Sequence, residues 1–248
     1  MRILYGMNPV RELLRAGGEG LSELWLAEGG TRGQAFAELE RLGKQAGAKV
    51  RAAPREKLDR LAGTDRHQGI VAVVADFRYA ELEELLEPEQ GRPALLVVLD
   101  GVEDPHNLGA IVRSALALGA TGVVIPRDRA VGVTPAVAKA SAGAVERVRI
   151  ARVVNVAKTL ERMKEQGVWS VALAADGDRE LGGVDLRGPM ALVLGSEAEG
   201  IRPLVRRTCD MGARIPMSGG IDSLSVSAAA AVALYEAARQ RAGKPRSP

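Results

Sequence analysis

The chain has 248 residues, 46% of them hydrophobic, with one cysteine, two histidines and a net charge of +3, enough for one large domain or two ordinary ones with real cores. No apolar run reaches the roughly 18 residues of a membrane span, the opening "MRILYGMNPVREL" lacks a signal-peptide core, and the lone Cys209 excludes an internal disulfide framework and any cysteine metal cluster. A reducing cytoplasm is the expected setting, and the mildly basic balance permits a nucleic-acid partner without requiring one.

In chain order, "NPVRELLRAG" reads as a helix and "LSELWLA" as a strand. "GQAFAELERLGKQAG" reads as a helix with Phe36, Leu39 and Leu42 near one face, and "AKVRAA" as a strand. "PREKLDRLAG" follows as a helix with Pro54 in its first turn, then "GIVAVVADF" as a buried strand. These elements make a small α/β domain over residues 1–77. The acidic stretch 78–93, closed by Pro and Gly, reads as a linker holding at most a short helical turn.

From Ala94 the units lengthen. "ALLVVLD" is a buried strand, "NLGAIVRSALALG" a helix, "TGVVIP" a strand, "TPAVAKASAG" a helix, "VERVRIARV" a strand and "NVAKTLERMKEQG" a helix. "VWSVALAA" and "MALVLG" are strands, "AEGIRPLVRRTC" a helix, "GARIPM" a strand and "SLSVSAAAAVALYEAARQR" a closing helix. This alternation predicts a parallel sheet covered on both faces, in a domain over 94–242. The basic tail 243–248 is expected to be disordered.

Ligands of open parallel sheets bind beyond the carboxyl ends of the strands, and three such ends carry unusual loops. In "DPHNLGAIVRSA", Asn107 reads as a helix N-cap with Gly109 in the first turn, above a buried stripe of Leu108, Ile111, Val112, Ala115 and Leu116. Arg113 lies off that stripe, four residues after Gly109, so its side chain points back over a residue that has none. That suits an anion held at an electropositive helix start, although an ordinary cap with a solvated Arg satisfies the same pattern. In "LVLGSEAEGIRP" a strand breaks at Gly195 and Glu197 starts a helix, as a structural cap or as a carboxylate aimed into a pocket. In "ARIPMSGGIDSLSVSAA" a strand ends at Pro216, a Gly-Gly loop follows, and Ser223, Ser225 and Ser227 crowd a helix start. No Gly-Lys-Ser/Thr or G-x-G-x-x-G accompanies these glycines, so neither a nucleotide P-loop nor a dinucleotide fingerprint is present. Two histidines without a supporting ligand pattern make no metal site, and Asp104 to His106 read as a turn.

Taken together, the three stretches resemble, in order and spacing, the three motifs of the SpoU (TrmH) family of RNA ribose 2′-O-methyltransferases. "YGMNPVRELL" and "RHQGIVAVV" resemble the ribosomal-protein-like substrate-binding domain of the subgroup that methylates a guanosine of 23S ribosomal RNA. The resemblance implies an α/β-knot domain of the SPOUT type, with a deep trefoil knot, behind a small α/β RNA-binding domain. It also implies S-adenosyl-L-methionine as methyl donor and a homodimer, with no metal and no membrane. Donor contacts would come from Leu194, Gly195, Gly200, Ile215, Met217 and Leu224. The catalytic set would be Asn107, Arg113, Glu197, Ser223 and Ser225. Arg113 would grip an RNA phosphate, Glu197 would orient Arg113 or its loop, and Asn107 would fix the ribose or the loop geometry. Asn8, Arg11, Arg15 and Arg66 are the candidate RNA contacts of the first domain. One position departs from the family pattern: the last motif usually reads Leu-Asn-Val-Ser, and here Ser225 stands where that Asn would be. Competing expectations are a transfer RNA ribose 2′-O-methyltransferase, or a non-catalytic RNA-binding or ribosome-assembly protein on the same fold, the latter motivated by Ser225.

Overall fold

The computed structural model describes residues 1–29, 33–87, 91–218 and 223–242. The basic tail, the centre of the Gly-Gly loop and residues 88–90 of the expected linker lie outside the described residues. The chain forms two compact units, Met1–Arg78 with Val133–Arg147, and Tyr79–Gly132 with Val148–Pro248.

The first unit holds β1 (Arg2–Tyr5), α1 (Met7–Arg15), β2 (Leu21–Ala27), α2 (Gln34–Gln45), β3 (Lys49–Ala53), α3 (Arg55–Ala62) and β4 (Ile70–Val74). Its sheet runs β1-β4-β2-β3, with β4 antiparallel to both neighbours and β2 parallel to β3. Strand β1 was not anticipated from the sequence: four residues with only Leu4 buried are too short to show an alternating pattern. Helix α1 buries Pro9, Val10, Leu13 and Leu14 on one face. Pro9 sits in the first turn, where its missing N–H would have had no partner. The "RHQGIV" stretch is pinned by a fully buried His67. The Gly69 amide donates to its Nδ1 at 3.0 Å, so Nε2 carries the proton and donates to Asp59 at 2.7 Å.

The segment read as a linker is built into the second unit. Its helix α4 (Leu82–Leu86) carries a capping box between Glu81 and Glu84, and Leu82 and Leu85 are buried in the core. Then come β5 (Leu95–Asp100), α5 (Pro105–Ala117) and β6 (Gly122–Pro126). Helix α6 (Pro135–Ala140) follows, in the segment that clusters with the first unit. There the Arg2 guanidinium grips Glu146 through two bonds of 2.7 and 2.6 Å, and Lys139 lies over the Tyr5 ring at 5.2 Å. The rest of the second unit is β7 (Ile150–Val153), α7 (Val156–Glu165), β8 (Trp169–Leu173), β9 (Arg179–Glu180), β10 (Met190–Gly195), α8 (Pro203–Thr208), β11 (Met211–Arg214) and α9 (Val226–Arg241). The stretch "VERVRIARV" is therefore strand only at its end, since Ala144–Glu146 form a single 3-10 turn.

The second sheet runs β7-β6-β5-β10-β8-β11-β9 and every pairing is parallel. All six residues of β5 are buried, as are five of the six in β10, which is why both read as unbroken apolar runs. Helix α9 is fastened at its far end by Arg241, whose guanidinium donates to the carbonyls of Pro93 (2.8 Å), Ala94 (3.1 Å) and Leu186 (2.9 Å). Burial lowers the pKa of Arg241 below its usual value.

Candidate active site

Strands β5 and β10 lie side by side with Asp100 and Gly195 in register at their carboxyl ends. Both ends then turn into loops on the same edge. After β5 the chain enters α5 through Asp104, whose carboxylate accepts the His106 amide at 2.8 Å, with Pro105 as first helical residue. Asp104 is thus the N-cap, and Asn107 lies three residues further on, with Gly109 in the second turn. This corrects the sequence reading of Asn107 as the cap. Its amide is free for another task. Asn107 Nδ2 donates to Glu197, and Asn107 Oδ1 accepts from Ser227 Oγ at 2.8 Å. Ser227 in turn lies 3.3 Å from Ser225 Oγ, which accepts the Ala228 amide at 3.3 Å and so caps α9. A chain of polar contacts, Ser225–Ser227–Asn107–Glu197, joins the three loops.

Glu197 does not start a helix. It lies in a turn closed by Ser196 and Gly200, whose amides donate to each other's carbonyls at 3.1 and 3.0 Å, and α8 begins only at Pro203. Its partner is the Asn107 amide rather than a helix dipole, and rather than Arg113. Arg113 is exposed and, among the described residues, has no hydrogen bond or ion pair through its side chain. The stripe beneath it is as read for Leu108, Ile111, Val112 and Ala115, all fully buried, while Leu116 is half-buried. Gly195 has a direct reason to be glycine: a Cβ there would lie 1.9 Å from the carbonyl carbon of Gly200.

Two residues that the sequence did not single out lock this edge. Asp100, fully buried at the end of β5, accepts the Arg202 amide and the Arg202 Nε, each at 2.8 Å. That bond raises the Arg202 pKa above its usual value and ties the first loop's strand to the second loop. The only cue was a carboxylate closing an otherwise apolar run.

Beside these loops is a cavity of about 350 Å³. It is lined by Leu194, Gly195, Gly200, Ile215, Met217 and Leu224, together with Glu197, Ser223 and Ser225. Ser196, Val226 and Ala229 also line it, as do Leu173, Ala174 and Ala175 at the end of β8, which sequence reasoning missed because nothing but their position past a strand marks them. The volume is that of a small-molecule site, and a largely apolar wall with a few polar groups suits a small ligand with both an apolar and a polar part. Asn107 and Arg113 are not among the lining residues. The candidate RNA contacts lie in the first unit: Asn8, Arg15 and Arg66 are exposed and Arg11 half-buried. Arg15 is engaged by Glu12 at 3.1 Å, and the Arg66 carbonyl accepts from Lys139 at 3.2 Å.

Residues 94–235 match the model of the SpoU rRNA Methylase family, and residues 3–80 match that of the RNA 2′-O ribose methyltransferase substrate binding domain. The chain is 45% identical to the TrmH family protein YacO of Bacillus subtilis, over 95% of this chain and 94% of that one. It is 43% identical to the 23S rRNA (guanosine-2′-O-)-methyltransferase RlmB of Ralstonia nicotianae, over 98% of both chains. Among solved structures, the SpoU methyltransferase AviRb of Streptomyces viridochromogenes, in complex with the cofactor AdoMet, is similar at a TM-score of 0.83 and 26% identity, covering 97% of this chain and 90% of that one.

Proposed function

Since the chain belongs to the SpoU rRNA methylase family, we propose that its cavity and the Asn107 cluster form one site, which transfers a methyl group to RNA. The chain is an S-adenosyl-L-methionine-dependent RNA 2′-O-methyltransferase acting on a guanosine of 23S ribosomal RNA. The observation that carries the site reading is that every donor-contact candidate lines the same 350 Å³ cavity, next to the polar chain through Asn107.

The bound donor supplies an electrophilic methyl group; the rest of the chemistry is positioning. The ribose 2′-oxygen must be held in line with that methyl, and such orientation accounts for a large part of a rate enhancement. A guanidinium offers donors and no acceptor, so Arg113 serves as a cation rather than as the base. Its unpartnered guanidinium suits an RNA phosphate beside the target ribose, and stabilises charge developing on the 2′-oxygen. The phosphate or solvent takes the proton. Asn107, held from one side by Ser227 and on the other by Glu197, keeps the first loop at the cavity's edge. Glu197 acts through Asn107. DNA is no substrate because it lacks the 2′-hydroxyl.

The same reading assigns residues 1–77 to RNA substrate binding, through Asn8, Arg11, Arg15 and Arg66, and residues 94–242 to methyl transfer. The family matches at 3–80 and 94–235 support that division. It further includes the deep trefoil knot of the family, a ribosomal-protein-like first domain, a cytoplasmic setting and a homodimer. Exposed Val232 and Tyr235 on α9 support the homodimer by offering an apolar face to a second copy.

The deciding experiment incubates the protein with labelled donor and unmodified 23S and transfer RNA transcripts, then maps the label. A 2′-O-methylguanosine in 23S RNA is the expected result. Label only in transfer RNA overturns the substrate, and no label in either overturns the activity.

A further inference from the structure

At the carboxyl edge of the second sheet, the turn after β6 runs Arg127-Asp128-Arg129. Arg129 has a φ of +55°, a left-handed conformation that glycine adopts freely and a long side chain does not. A bulky residue at such a position stands against the backbone's own preference, a mark of functional segments.

The turn is fixed in place. Arg127 donates its amide to Val153 at 2.7 Å and accepts from Arg152 Nη2 at 2.9 Å, while Arg152 lies over the Tyr79 ring at 5.4 Å. The Val131 amide donates to Val102 at 3.0 Å. The Arg129 carbonyl oxygen is 3.7 Å from where a Cβ on Gly101 would sit, and the Ser196 Cβ is equally close to that point. The turn therefore packs against the loop that leads from β5 to Asn107, next to a residue of the cavity wall.

Its net charge is positive, two arginines against Asp128. Arg129 is exposed and, among the described residues, has no hydrogen bond or ion pair through its side chain. Among the described residues, the Arg127 side chain meets only its neighbour Asp128, loosely, at 3.9 Å. Two cations on a fixed backbone, in a turn packed against the loop that leads into α5, match a ligand with repeating negative charges.

We propose that the Arg127–Arg129 turn is a second phosphate-binding point on the methyltransferase unit. It grips the RNA backbone beside the nucleotide whose ribose is presented near Arg113. This rests on the RNA-methylation reading above. Phosphate contacts of this kind set register and orientation rather than sequence choice, so the turn fixes where along the strand the 2′-hydroxyl meets the donor.

The test uses the full chain as wild type, Arg129→Gly and Arg129→Lys. Glycine removes the cation and relieves the positive φ, so the variant keeps its fold. Binding of an unmodified 23S fragment is measured across a salt series, alongside methyl-transfer kinetics and donor binding by calorimetry. Arg129→Gly should raise the KM for RNA several-fold with kcat within about twofold of wild type and donor affinity unchanged. The slope of log K against log salt should become shallower by about 0.7 for one lost contact to single-stranded RNA, and Arg129→Lys should keep the wild-type slope. An unchanged slope and an unchanged KM for Arg129→Gly overturn the proposal. If wild type binds the fragment but transfers no methyl, the slopes still decide the phosphate contact, and the failure belongs to the activity reading alone.

Discussion

Ser225 closes α9 by accepting the Ala228 amide, a task that Ser and Asn perform about equally well. The departure from the family's Asn thus keeps the helix cap. Ser225→Asn should leave the urea midpoint unchanged, whereas Ser225→Ala should cost about 1 kcal/mol of stability. Asn107→Asp sets a carboxylate against Glu197 in place of an amide donor, and two facing carboxylates resist joint ionisation. Turnover of that variant should fall at neutral pH by at least about tenfold and recover partly toward acid, where one proton is shared; a flat pH ratio to wild type would count against the Asn107–Glu197 bond. Burial raises the Cys209 thiol to about 12, so iodoacetamide at pH 8 should label the folded chain far more slowly than the urea-unfolded one by mass spectrometry. Asp210 responds in the opposite sense. Burial alone would raise its pKa, but Lys164 and Ser170 outweigh this and hold it below the ordinary 3.8. A carboxylate with a depressed folded pKa contributes stability above pH 3.8 that is lost as pH falls through the folded value. Asp210→Asn should therefore flatten the acid limb of the stability curve below that pH. At this scale the sequence exposed the residues whose type is unusual for their place, such as Arg113 off an apolar stripe. It could not expose Asp100 and Arg202, which meet across 102 positions, because their pairing exists only once β5 and β10 lie side by side.

The buried parallel strands were the most legible elements, since apolar runs such as "LLVVLD" have few alternatives. Helix starts were the least legible, and proline held the missing information. Pro105 and Pro203 each occupy the first turn of their helices, where a residue without an N–H costs nothing. Taken at face value, they mark Asp104 and Arg202 as the caps. Asn107 then belongs inside α5, and Glu197 belongs to a turn ahead of α8. The turn that replaces the expected helix start brings the backbone of Gly200 against Gly195. Gly195→Ala should lower both melting temperature and donor affinity, because its methyl group would fall inside backbone atoms that cannot swing away. Gly182→Ala, with nothing within 4 Å of the added carbon, is the matching control and should change neither.

Across the whole molecule, the expected linker is where the sequence was least informative. Acidic composition hid the fact that Leu82 and Leu85 are buried against strands read as a separate domain. A fragment beginning at Ala94 loses those side chains, and a fragment beginning at Tyr79 keeps them. Thermal melts of the two should separate by several degrees in favour of the longer one. Equal melting temperatures would mean that α4 adds little to the core. The chain order of the two units has a further consequence for inheritance. Residues Val133–Arg147 lie between β6 and β7 of the second sheet, yet Glu146 is held by Arg2 and Lys139 by the Tyr5 ring. A single genetic crossover between the two halves of such a gene would bring together an amino-terminal half and an inserted segment with different ancestries. Lineages that exchange the first unit intact would have to exchange both segments together, so hybrids spliced at one junction should be folding-impaired where hybrids spliced at three are not.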